Sequence, residues 1–221
     1  MSSHHTHREI FFNFIDELNK NNITYYFMRG FGKLPEKPDT DIDLVCHLSD
    51  WGKYVEIASK HLHLTEGFVN SGFGEYCDML YYPYFTPGTA DGSIPNGRFR
   101  VDSYNCLHMS SPLKNFKTKW TLPFKFNNYV FDKKVEVTAH DAPYYIPSAE
   151  CEVSLLVFRD IFDLEGDWKQ KHIDRINSLK SACDKEEVLR CIGMVLPKAE
   201  SVVDCVYNND YGKIFNLVMK A

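Results

Sequence analysis

Two aspartates, Asp41 and Asp43, stand one residue apart at the head of the apolar run DIDLVCHL, behind a Gly/Pro-broken loop that leaves from Arg29 and Gly30. On a strand, side chains two apart point the same way with origins about 6.5–7 Å apart, so Asp41 and Asp43 share a face and Ile42 and Leu44 take the other. Like charges held this way repel, and a divalent cation between them relieves the repulsion. Mg²⁺ takes carboxylate oxygens at about 2.0–2.1 Å and keeps positions open for substrate phosphates. Taken alone, D-x-D reads more readily as a solvated strand face beside a charged loop. Arg29 and Gly30 favour the metal clamp, because glycine lets a backbone approach a phosphate and arginine pairs with one bidentately. Lys33 and Lys37 follow in the same loop, set either to face a triphosphate or simply to be solvated.

The surrounding periodicities say what must hold these residues. REIFFNFIDELNKNN puts Ile10, Phe11, Phe14, Ile15 and Leu18 on one helical stripe and stops at Asn21-Asn22. ITYYFM and DIDLVCHL read as strands bracketing the loop, and DWGKYVEIASKHLH as a helix. YCDMLYYPYF and RFRVDSYNCLHM read as later strands, giving the order αββαββ. TPGTADGSIPNG between the last two is dense in turn formers and reads as an exposed loop able to cover a site. The punctuation changes near residue 147, which predicts an α/β domain over 1–147 and a helical subdomain over 148–221. The latter has helices at about 149–164, 168–180 and 185–195. Ser148 is the expected cap of the first, with Glu150 and Glu152 at the positive end of its dipole.

The run of helix, strand ending in glycine, loop, and D-x-D on the next strand resembles the nucleotidyltransferase superfamily with the DNA polymerase β-like fold, over residues 8–48. The resemblance implies an α+β fold, a mixed sheet flanked by helices, with Gly30 facing phosphate and Asp41 and Asp43 as the metal pair. It also implies a third carboxylate from a later strand that joins the metal-binding set and helps activate the nucleophile: Asp102 in RFRVDSYN, where Arg100 projects from the same face, with Asp78 as the rival. Asp102 read structurally is a strand-end partner of Arg98 or Arg100. Phe31 departs from the pattern, standing where the family usually carries serine. The implied cofactors are Mg²⁺ or Mn²⁺ and a nucleotide donor, either a triphosphate or a nucleotide-activated donor of the kind LicD-like and fukutin-like branches use. Arg29, Gly30 and Lys33 are the expected phosphate contacts.

Composition narrows the partners. The 221 residues are 44% hydrophobic and 14% aromatic, enough for a full core, and the net charge of −5 offers no broad footprint for long nucleic acid. A small-molecule or glycan acceptor fits better. No apolar run approaches the roughly 20 residues of a membrane span, and MSSHHTHREI lacks a secretory core, so the expected location is cytoplasmic. The 7 cysteines, with no C-x-x-C pair, read as buried free thiols.

Among weaker features, His47 reads as a structural histidine, His4, His5 and His7 as a frayed terminus, and Arg159, Asp160 and Asp163 as a water-facing helix side. The leading function is metal-dependent transfer of a nucleotidyl or phosphoryl-linked group. A non-catalytic nucleotide-binding relative is the alternative, supported by Phe31. A metal nuclease built on Asp39 and the DKK run at 132–134 ranks below both. Removing one of two repelling carboxylates, as in Asp43→Asn, is expected to leave the fold unchanged or steadier.

Overall fold

Helix α1, His7–Lys20, buries Phe11, Phe14, Ile15 and Leu18 on one stripe. It ends where the sequence predicts: Asn22 takes a left-handed φ of 54°, and the Ile23 N–H reaches back to the Leu18 carbonyl at 3.0 Å. The computed structural model describes residues 7–29, 31, 41–70, 80–86, 100–110, 119–139 and 142–219. Gly30, Lys33, Lys37, Asp39, Asp78, Arg98 and most of the expected covering loop lie outside them.

Five strands form one mixed sheet: β1 Tyr25–Arg29, β2 Asp41–Cys46, β3 His63–Asn70, β4 Leu80–Thr86 and β5 Arg100–Tyr104. Their spatial order is β1-β2-β5-β4-β3; only β2 and β5 run parallel, and the other neighbours are antiparallel. A single turn of 3-10 helix and α2, Trp51–His61, follow β2. The observed order is therefore αββαβββ. The expected helix over 50–63 stops at His61, and HLTEGFVN becomes β3, whose Glu66-Gly67 interruption had hidden any alternation.

The two helices bury one face of the sheet. Phe27, Leu44, Cys46, Ile42 and Val101 meet Phe14 and Tyr54 in a single core, and Phe14 and Tyr54 touch edge to face. Inside that core the Tyr54 hydroxyl hydrogen-bonds to Ser103. A hairpin of β8 Val135–Ala139 and β9 Ala142–Ile146, unread in the sequence, packs on α1 and β1. Asn19 donates to the Pro143 carbonyl at 2.7 Å and Tyr144 enters the core.

The chain divides into two compact units, Met1–Cys106 with Lys134–Ile146, and Leu107–Lys133 with Pro147–Ala221. Residues 107–133 thus group with the C-terminal helices, although the sequence pattern placed them before the boundary near 147. The expected strand over 98–109 is two strands: the chain bends at Asn105 and Cys106, and β6 His108–Ser110 pairs instead with β7 Lys119–Thr121.

The second unit also holds α3 Phe124–Asp132, α4 Ala149–Phe162, α5 Gln170–Lys180, α6 Lys185–Gly193, α7 Ala199–Tyr207 and α8 Tyr211–Met219. Ser148 caps α4 as expected, its hydroxyl accepting from the Cys151 N–H at 3.3 Å. Helix α4 is the central element, buried almost all round, and this overturns one sequence expectation. Asp160 does not face water: it is 0% exposed, and its carboxylate meets Nδ1 of His172 on α5 at 2.9 and 3.0 Å. A carboxylate can sit there only because α5 brings it a partner. Beside it Arg175 grips Glu152 with two bonds of 2.7 and 2.8 Å, fixing the α4–α5 register.

Removing one partner of a buried pair leaves an uncompensated charge, so His172→Leu is expected to lower stability by about 3–5 kcal/mol. Urea unfolding followed by circular dichroism checks it; a loss below about 0.5 kcal/mol, the level of an ordinary surface substitution, would contradict the structural role of the pair.

Candidate active site

The sheet face opposite α1 and α2 carries the charged residues. In the parallel ladder Asp43 pairs with Asp102 and Asp41 with Arg100, so Asp41, Asp43 and Asp102 occupy neighbouring positions of one face. Asp43 and Asp102 are 5% and 8% exposed, their carboxylates set side by side on strands about 4.8 Å apart. Asp41 is placed by its backbone alone, as is Arg100.

Arg29 joins them through an irregularity. Strict alternation along YYFMR would put Arg29 on the same side as Tyr25 and Phe27, which is the core side. The register shifts by one residue between Phe27, opposite Leu44, and Arg29, opposite Asp43. The extra residue, Met28, turns Arg29 onto the carboxylate face, as bulges beside functional sites commonly re-aim a side chain. The guanidinium Nη2 then donates to Asp43 Oδ1 at 2.5 Å.

A second donor was not anticipated. Tyr104, two residues beyond Asp102 and so on the same face, donates its hydroxyl to the same Asp43 Oδ1 at 2.8 Å. Burial, then the negative charge of Asp43, push the Tyr104 phenol well above its ordinary pKa, with Arg29 pulling the other way. The signal was available: with Asp102 facing the site, i+2 must face it too, but nothing in the type of residue sets Tyr104 apart from the other strand aromatics.

This arrangement overturns the expected effect of Asp43→Asn on the fold. The carboxylate is not a net source of repulsion, because Arg29 and Tyr104 both bind it, and its loss removes the Arg29 ion pair.

The other sequence candidates separate from the site. His47 is structural as read, its Nδ1 accepting from the Ser49 N–H at 3.3 Å to cap the 3-10 turn. Asp132 and Lys133 are the last residue and C-cap of α3, so the DKK run is a helix end rather than the strand a P-D…D-x-K nuclease pattern needs. Phe31 is half-buried and packs against the core of the first unit.

The donor set suits a hard cation. Carboxylate oxygens are what Mg²⁺ and Mn²⁺ take, and Asp43 already holds a positive group in the Arg29 guanidinium. Among the described residues no group of three or more His, Cys, Asp or Glu side chains stands close enough to hold an ion; Asp41 contributes only its backbone position. Six described cysteines are free, Cys46, Cys106, Cys151 and Cys191 buried, and none belongs to this face's polar cluster. No helix among the described residues is long and apolar enough to cross a membrane.

No protein-family model and no curated protein matches the chain. Among solved structures it is similar to the antibiotic-resistance factor ANT(2'')-Ia in solution, at 14% identity over 84% of this chain and 89% of that one, TM-score 0.47. It is similar to ANT(2'')-Ia in complex with adenylyl-2''-tobramycin, at 15% identity over 86% and 96%, TM-score 0.47. A third is an antigenic nucleotidyltransferase-like protein from Paracoccidioides brasiliensis, at 11% identity over 95% and 89%, TM-score 0.45.

Tyr104→Phe removes a hydrogen bond to a charged acceptor, so stability at pH 7–8 is expected to fall by about 1.5–3 kcal/mol. The phenol's raised pKa gives a second sign. The folded state resists ionising Tyr104, so its contribution is intact below the unfolded value near pH 10 and is lost above it. The mutant should therefore lose less stability than wild type between pH 9 and 11. Urea midpoints across that range decide it: parallel curves for the two proteins would place Tyr104 outside the Asp43 network.

Proposed function

We propose that the chain transfers a nucleotidyl or phosphoryl-linked group from a nucleotide donor to a hydroxyl of a small molecule or glycan, with Mg²⁺ or Mn²⁺. One observation carries this reading: Asp43 and Asp102 stand side by side on the only parallel pair of the main sheet, among the described strands, with the Asp41 position on the same face. A merely solvated strand face would not bury both carboxylates or provide them with Arg29.

When bound, the cation would neutralise charge on the transferred phosphorus group and lower the pKa of the attacking hydroxyl. Asp41 and Asp43 would hold it. Asp102 would accept the acceptor's hydroxyl proton as the new O–P bond forms and the bond to the departing phosphate breaks. Arg29, the last residue of β1, would pair with phosphate oxygens bidentately, with Gly30 and Lys33 as the further phosphate contacts. The acidic balance of the chain favours a small acceptor over long nucleic acid.

A second reading is a nucleotide-binding protein without turnover. Phe31 favours it, since its ring packs against the core where a serine hydroxyl would otherwise meet phosphate.

Turnover by the wild type separates these readings, and Asp43→Asn tests the site that both share. It should abolish turnover and the thermal shift produced by Mg²⁺ with a donor, an effect of several kcal/mol on the transition state. It should also lower apo stability by about 1.5–3 kcal/mol, because Arg29 loses its charged acceptor. Melting temperatures of wild type and mutant, with and without Mg²⁺ and a panel of nucleoside triphosphates and CDP- or UDP-linked donors, test both. An unchanged ligand response in the mutant removes the D-x-D pair from the mechanism; a wild type that binds without turnover leaves the binding protein.

A further inference from the structure

The Arg29–Asp43 contact poses a problem for any metal-dependent site, because the group on the metal-binding carboxylate is already a cation. We propose that Arg29 is a resident counter-charge that keeps free divalent ions off Asp43 and moves to the nucleotide's phosphates when they arrive, so that metal and nucleotide load together. This inference rests on the metal-dependent reading above and deepens it.

The geometry supplies each part. Arg29 Nη2 stands 2.5 Å from Asp43 Oδ1, and its side chain is 29% exposed, so solvent and ligand reach it. Tyr104 donates to that same oxygen at 2.8 Å, and among the described residues no donor reaches Oδ2. Oδ2 is thus the oxygen presented to an ion, and an ion there stands within several ångströms of the guanidinium. Even at the dielectric of bulk water, the weakest case, a dication about 6 Å from the guanidinium binds about tenfold more weakly, and the lower dielectric of a buried carboxylate enlarges the effect.

A nucleotide changes the balance because phosphate oxygens offer the guanidinium a bidentate acceptor at least as good as the carboxylate. Arg29 is the last residue of β1 and its side chain is 29% exposed, so the movement is one of the side chain and leaves the strand in place. Tyr104, being neutral, can keep its bond to Oδ1 throughout and hold the orientation of Asp43 after Arg29 has left. The two donors therefore differ in role: Tyr104 positions the carboxylate and Arg29 sets its charge. The bulge at Met28 is what makes the device available, since regular alternation would bury Arg29 in the core.

The test is a Mn²⁺ titration followed by electron paramagnetic resonance on the full chain, with and without non-hydrolysable β,γ-methylene nucleoside triphosphates. Wild type should bind free Mn²⁺ weakly and at least tenfold more tightly with a nucleotide analogue. Arg29→Gln should bind free Mn²⁺ at least about tenfold more tightly than wild type and gain less from the analogue. Arg29→Lys, which keeps the charge, should stay near wild type for the free ion. Tyr104→Phe, which removes a donor without altering charge, should not reproduce the Arg29→Gln tightening. If Arg29→Gln does not fold, Arg29→Met gives the same reading. Free-ion binding that is unchanged or weaker in Arg29→Gln overturns the inference, as does equal tightening in Tyr104→Phe, or wild-type binding that is as tight without analogue as with it. Absence of Mn²⁺ binding by any protein under any condition overturns the metal-dependent reading itself.

Discussion

Two half-hidden carboxylates on adjacent strands, Asp43 and Asp102, set the terms for everything around them. Parallel pairing fixes their backbones about 4.8 Å apart, and burial to 5% and 8% exposure removes most of the water that would screen them. The apo protein answers with one cation and one neutral donor, both on the same oxygen of Asp43. That solution needs β1 beside β2, a bulge at Met28 and a tyrosine two residues past Asp102.

The opposite face of the same strands shows why the arrangement can be rigid. Phe27, Leu44, Ile42 and Val101 are packed under α1 and α2, so the strand backbones that present the polar residues are held from behind. Tyr54 and Ser103 tie α2 to β5 through a buried hydroxyl pair, directly behind the segment that carries Asp102 and Tyr104. Rigid backbone with a mobile side chain at its rim is the combination a site needs when one charge must move and the rest must not.

Much of this was legible in the sequence where local periodicity and function coincide. The D-x-D strand, the α1 stripe, its Asn-Asn stop and the Ser148 cap follow from spacing alone, and the face shared by Asp41 and Asp43 from period-2 alternation, while Asp102 is implied only by the family resemblance. The remainder depends on tertiary pairing that leaves little local trace. Arg29 reaches Asp43 only through a one-residue shift of register, which no pattern in YYFMR announces. Asp160 looks like the polar side of an amphipathic helix until His172 arrives from α5. Strand β3 carries an acidic residue and a glycine at its centre, and the hairpin of β8 and β9 is recognisable chiefly by what it packs against.

The hairpin Val135–Ile146 also bears on how the molecule is made. It completes the first unit, yet it follows 107–133, which belong to the second, so the chain passes between units at 106–107, 133–134 and 146–147. The Asn19–Pro143 bond spans 124 residues. At ribosomal rates of about 5–20 residues per second, α1 and β1 leave the ribosome roughly 6–25 s before the segment that covers them. During that interval the Tyr25 and Phe27 edge of the nascent sheet lacks the Tyr144 and Tyr145 rings that pack on it in the finished protein. Long-range closure of this kind slows folding, so the first unit is complete only once the hairpin has been made, well after the strands that carry the carboxylates.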